Sequence, residues 1–155
     1  MATEVFINTK KTKLGEALGI NLVRIAGLGG LAAAASPTIV NYIESPFAED
    51  VYILRAWAHI KTADAQDADM DIGIADDKDG SNCDDSLSTS LVNSATGVLR
   101  LAAAQDGAGV ACPLWKKKGS SADSFIVAEQ NGNVDASALE YDLYLEVFRA
   151  SDLLD

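Results

Sequence analysis

Two stretches of the chain alternate with a period of two. Residues 51–62 read VYILRAWAHIKT and residues 139–149 read LEYDLYLEVFR. An extended chain sends successive side chains to opposite faces, whereas a helix needs apolar residues every three to four positions. Both stretches are therefore predicted strands with one face in a core. In the first, Tyr52, Leu54, Ala56, Ala58 and Ile60 form the apolar face, and Val51, Ile53, Arg55, Trp57, His59 and Lys61 the mixed one. In the second, Leu139, Tyr141, Leu143, Leu145 and Val147 face inward, and Glu140, Asp142, Tyr144, Glu146 and Phe148 outward.

Weaker versions of the pattern fill the rest of residues 44–155. A strand is predicted at 68–75, with Met70, Ile72 and Ile74 inward and Asp69, Asp71 and Gly73 outward. Further strands are expected at 97–102 and 124–130, a short strand or helical turn at 87–92, and a strand at 38–43. The sequence QNGN at 130–133 reads as a turn whose Gly132 suits a positive φ. Strands separated by polar turns, with no helical period between them, predict an all-β antiparallel sandwich of jelly-roll type.

Residues 1–36 have a different grammar. They hold a possible β start at 4–8, a weak amphipathic patch at 14–25 and then a Gly/Ala run, so they are expected to form an extended N-terminal arm. Gly and Ala bury little area against the entropy of ordering, and the arm's order is expected to come from a partner. The division is thus an arm over 1–36 and a sandwich over 37–155. The apolar run at 25–35 resembles the heart of a signal peptide, but it is short and Gly-rich. Glu4, Glu16 and Arg24 lie in or beside its leader, so export and membrane spanning are not expected.

With 155 residues, 48% of them hydrophobic, one core is the natural size. The net charge of −11 disfavours a nucleic-acid partner. That charge is polarised. Residues 1–43 carry Lys10, Lys11, Lys13 and Arg24 against Glu4 and Glu16, a net +2, and residues 44–155 carry −13. Residues 64–85 alone hold nine aspartates and one lysine, a block expected in solvent.

No constellation carries catalysis. His59 is the sole histidine, with no nucleophile motif near it, and the many carboxylates single out no acid/base pair. The DDKDGSN run at 76–82 resembles a calcium loop, but placing Gly80 on the loop glycine puts Ala75 and Ser86 where ligands belong. Cys83 and Cys112 lack any zinc-type spacing and are expected as reduced thiols. No catalytic residue, metal or cofactor is assigned. The interface candidates are Lys10, Lys11, Lys13 and Arg24 in the arm, Arg55, Trp57 and His59 on the mixed strand face, and Trp115 with Lys116, Lys117 and Lys118.

The order of segments is similar to that of the small decoration, or cement, proteins on the heads of tailed bacteriophages. The similarity runs over residues 27–150: the GLGG approach at 27–30, the SPF turn leading into the long strand, the MDIGIA strand with its DDKDGSN loop, and the final aromatic-bearing strand. It implies a non-catalytic β-sandwich bound to the major capsid protein on the outer capsid surface of the virion, commonly as a homotrimer, made in the host cytoplasm. The arm and self-association would then stabilise the shell. The competing expectation is a carbohydrate- or receptor-binding sandwich of a head fibre or tail, with Trp57, Trp115 and Tyr144 stacking on sugar rings.

Overall fold

The computed structural model describes residues 3–4, 6–10, 20–32, 37–64, 69–88, 95–101, 112–131 and 134–153. The long alternating segments form β5 (Val51–Thr62) and β10 (Glu140–Arg149), which pair antiparallel along their whole length. Around them the larger sheet adds β2 (Phe6–Lys10), β3 (Ile20–Gly29), β7 (Gly97–Leu101) and β8 (Leu114–Trp115). Its order is β2-β3-β10-β5-β7, with β8 also on β5. The smaller sheet has the order β1-β4-β9-β6, from β1 (Thr3–Glu4), β4 (Thr38–Glu44), β6 (Asp69–Ala75) and β9 (Phe125–Asn131). Every pairing is antiparallel except β1 with β4. Among the described residues there is no α-helix, and the chain is all-β, with a short 3-10 turn at Ala150–Leu153.

The two inner faces meet in one core. Val23, Ile25, Ile53, Ala58, Ile60, Leu143 and Leu145 from the larger sheet share it with Val40, Ile43, Met70, Ile72 and Ile126 from the smaller. Ile, Leu, Val and Ala dominate, and Trp115 and Tyr141 are the largest fully buried side chains, so a chain with few aromatics still closes a core. Trp115 is tied down twice. Its Nε1–H donates to the Ser124 carbonyl at 3.0 Å, and its ring meets Phe47 edge-on at 5.7 Å.

Three irregularities in the larger sheet set which of its side chains face out. Opposite Glu146 and Val147, β5 carries Leu54 as an extra residue between Ile53 and Arg55. This bulge reverses the first part of the predicted alternation, so Val51 and Ile53 are buried while Tyr52 turns outward. From Ala56 to Ile60 the predicted inward set holds. A second extra residue, Lys61, lies between the partners of Glu140 and Tyr141, and a third irregularity sits in β3 opposite Asp142, where Gly27 takes φ 82°.

The predicted division at residue 36 is corrected by β3. Ile20–Gly29 pairs with both β2 and β10 and sends Val23, Ile25 and Leu28 into the core. The bulge at Gly27 breaks the alternation of this segment, which hides a strand behind a Gly-rich composition. Of the expected arm, residues 1–2, 5, 11–19 and 33–36 lie outside the described residues. So do Gly132 and Asn133 of the predicted turn and residues 89–92 of the predicted short strand or helical turn, whose Ser88 bridges Ile72.

Candidate functional site

The outer face of the larger sheet is built from rows of residues in register across β3, β10, β5 and β7. One row runs Arg24, Tyr144, Trp57, Arg100, placing an aromatic pair between two arginines. Adjacent strands lie about 4.8 Å apart, so the row spans roughly 14 Å. On one side of it come Leu22, Glu146 and Arg55, then Ile20, Phe148 and Tyr52. On the other come Asp142, His59 and Val98. Tyr52 and Phe148 stack at 5.6 Å, and the Arg55 guanidinium lies 5.8 Å from the Trp57 ring centroid. Arg55 also donates to Glu146 at 2.7 Å. Val98, at 67% exposure, is the one large apolar side chain left fully open among the described residues. Arg100 is exposed and has no ion-pair partner among the described residues.

Asp142 holds the middle of this face together. It is 1% exposed and accepts hydrogen bonds from Arg24 Nε at 3.0 Å and Nη2 at 2.6 Å, and from the Gly27 N–H at 3.1 Å; Lys61 Nζ is 3.0 Å away. Two of the three bulges therefore converge on one carboxylate. Burial pushes the Asp142 carboxyl up, but the bonds from Arg24, Lys61 and Gly27 outweigh it and hold the group below the usual carboxylate range. The same hydrogen bond raises the Arg24 guanidinium. Two cations on one carboxylate leave a local positive surplus.

The outer face of the smaller sheet is closed by a different device. Residues 76–85 fold back over it, and Leu87 then returns to the core. A Cβ on Gly73 would lie 2.7 Å from Asp85 Cα, and one on Gly80 would meet Ile39 Cδ1 of β4 at 2.6 Å, so the loop crosses from β6 to β4. Val127 consequently has no exposure although it points outward. The loop is internally tied: Asp77 accepts from the N–H groups of Asp79 and Ser81, Asn82 donates to Asp76 at 2.7 Å, and Asp84 accepts from the Ile74 N–H at 2.9 Å. Under it, Asp71 and Glu129 are direct cross-strand partners. Burial first, then neighbouring carboxylates including Asp85, raises both; the Asn131 amide on Asp71 acts the other way. The aspartate block is thus exposed on one side and packed on the other, rather than simply solvated.

The structure brings Arg24, Arg55, Trp57 and His59 together on the open face. Periodicity puts Lys61 on the same face and Phe148 on an outward face without marking either as a candidate, and it does not bring in Tyr52 or Arg100, because cross-strand register and the Leu54 bulge are not visible along one strand. Trp115 is corrected: it is a core residue with no exposure and cannot stack on a ligand. Lys116 pairs with Asp123 at 2.9 Å, while Lys117 and Lys118 are exposed at the turn after β8. Lys10 ends β2 with its backbone paired to Leu22, and Lys11 and Lys13 lie outside the described residues. Among the described residues no three His, Cys, Asp or Glu side chains gather as a metal site, and no helix is long and apolar enough to cross a membrane. Cys83 is half-buried and its thiol is pushed up to about 12, chiefly by burial, which leaves it unreactive as a thiolate. No protein-family model, curated protein or solved structure matches this chain.

Proposed function

We propose that this chain is a structural capsid-decoration protein of the tailed-phage cement type, acting by attachment and self-association and not by catalysis. The observation that supports this reading is the asymmetry of the sandwich. One outer face is sealed by its own loop, and the other is left open with half-exposed Trp57, Tyr144, Tyr52 and Phe148 among arginines. Aromatic and arginine side chains are the commonest energetic centres of protein interfaces, and a sheet face meant for water carries few of them. The jelly-roll-like reading draws support from the path of the chain, which changes sheet between β3 and β4, β4 and β5, β5 and β6, and β6 and β7.

In this proposal the segment that grips the shell is the basic one carrying Lys10, Lys11 and Lys13, and Lys10 ends β2 at the edge of the larger sheet. That edge meets the shell and the open face meets neighbouring copies. The test is co-sedimentation of the full chain with undecorated tailed-phage heads at low and high salt. Saturable binding by the wild type, lost in the Lys10→Glu, Lys11→Glu, Lys13→Glu variant, supports the reading. Undiminished occupancy by that variant overturns the role of the arm, and no binding by the wild type overturns capsid decoration. The adjacent Trp57 and Tyr144 rings also suit a sugar platform, and saturable binding on a glycan array with loss in Trp57→Ala would favour that second reading.

A further inference from the structure

We infer that the open face of the larger sheet docks on the loop-covered acidic face of a second copy, so that molecules associate head to tail. The inference rests on the self-association proposed above and specifies the surfaces that meet. It starts from charge. The open face holds Arg24, Arg55, Lys61 and Arg100 against Glu140, Asp142 and Glu146, a positive surplus on a chain of net charge −11. The opposite face holds five aspartates and one lysine in residues 76–85, beside Asp71 and Glu129 on the strands beneath. A partner acidic enough to complement the first face is therefore present on every copy.

Pairing of two open faces by a twofold axis is disfavoured by the same arithmetic, since it sets one arginine-rich surface against another. Pairing of two acidic faces is worse. Opposite signs on opposite sides of one sandwich favour the heterologous contact, which closes into a ring or extends as a row according to the rotation between neighbours. Either way every copy stands in an equivalent setting, its β1/β2 edge related to the next by the same rotation. Arg100, which has no ion-pair partner among the described residues, and Trp57 beside it in register are the residues placed to meet the loop. On the loop, Asp79 is exposed, while Asp76, Asp77 and Asp84 already accept hydrogen bonds that shape it.

The experiment is sedimentation velocity of the full chain across a concentration series at low and high salt, with Arg100→Glu, Asp79→Lys and their equimolar mixture. The wild type should grow with concentration at low salt and shrink at high salt. Each variant alone should associate about tenfold more weakly, and the mixture should recover complexes because each supplies the face the other lacks. Matching circular dichroism melts exclude unfolding as the cause. A wild type that stays monomeric, or an Asp79→Lys variant that associates like the wild type, overturns the head-to-tail contact. Head binding measured by co-sedimentation is a separate readout: association without it leaves this inference standing and removes capsid decoration, and the converse result does the opposite.

Discussion

Replacing Asp142 with Asn tests whether a buried carboxylate organises the open face. The substitution keeps the size of the side chain but removes the charge that Arg24 and Lys61 share, and it turns an amide NH2 toward one of them. Fully buried, each charge-assisted bond of this kind contributes about 1.5–3 kcal/mol. The two cations are not buried: their side chains are 47% and 37% exposed, so water recovers a large part of what they lose. The net cost expected is about 2 kcal/mol, which for a domain of this size lowers Tm by roughly 4–8 °C. Because the folded-state carboxyl lies below its unfolded value of about 3.9, its contribution is complete above that pH and is lost as pH falls through the folded value. Urea titrations at neutral pH and melts across the acid range measure both effects. The variant's stability should depend less on pH below about pH 4, and a double-mutant cycle with Arg24→Gln should give a coupling of about 1 kcal/mol. A loss under about 0.5 kcal/mol at neutral pH, or a cycle that closes to zero, refutes the reasoning.

Tyr141 is fully buried and its hydroxyl finds no partner among the described residues, so Tyr141→Phe should stabilise the fold by about 1 kcal/mol in denaturant titration; a comparable loss would show that the hydroxyl is satisfied. Gly73→Ala drives a methyl into the backbone of Asp85 and should cost about 1–3 kcal/mol, with faster protease cleavage within residues 76–88 as the specific sign that the loop has lifted. Glu129→Gln removes one of two facing carboxylates and should raise stability at pH 7 by roughly 0.5 kcal/mol. The raised Glu129 group favours the fold below its unfolded pKa, and this contribution is lost as pH rises through the folded value, so the variant should also show a smaller gain on mild acidification.

The strands most legible from sequence were those whose alternation runs without interruption. β10 keeps one phase from Tyr141 to Val147, and its inward face matches the periodic reading residue for residue. β5 reads as a strand, yet the facing of Val51, Tyr52 and Ile53 is reversed, because a single inserted residue shifts the phase and nothing in the composition marks Leu54 as that residue. β3 was hidden for a related reason: Gly27 and Gly29 resemble a flexible tail until Asp142, more than a hundred residues away, caps the bulge. The interaction face shares this limit. Trp57 and Arg55 are neighbours along one strand and could be singled out, but Arg100 and Tyr144 join them only through pairing. Trp115 shows the opposite error, since a tryptophan beside three lysines looks exposed until Ser124 and Phe47 are brought to it.

β10, the latest strand in sequence order, lies between β3 and β5 in the middle of the larger sheet. A ribosome delivers β3 and β5 first and their shared neighbour last. Until residues 140–149 are made, Val23 and Ile25 on one strand and Ile53 and Ile60 on the other have no common sheet to bury them. Folding of the sandwich therefore waits for residues 140–149, and until then the growing chain carries exposed strand edges of the kind that chaperones cover. A message cut short before residue 140 yields two unjoined halves of a sheet in place of a smaller working domain.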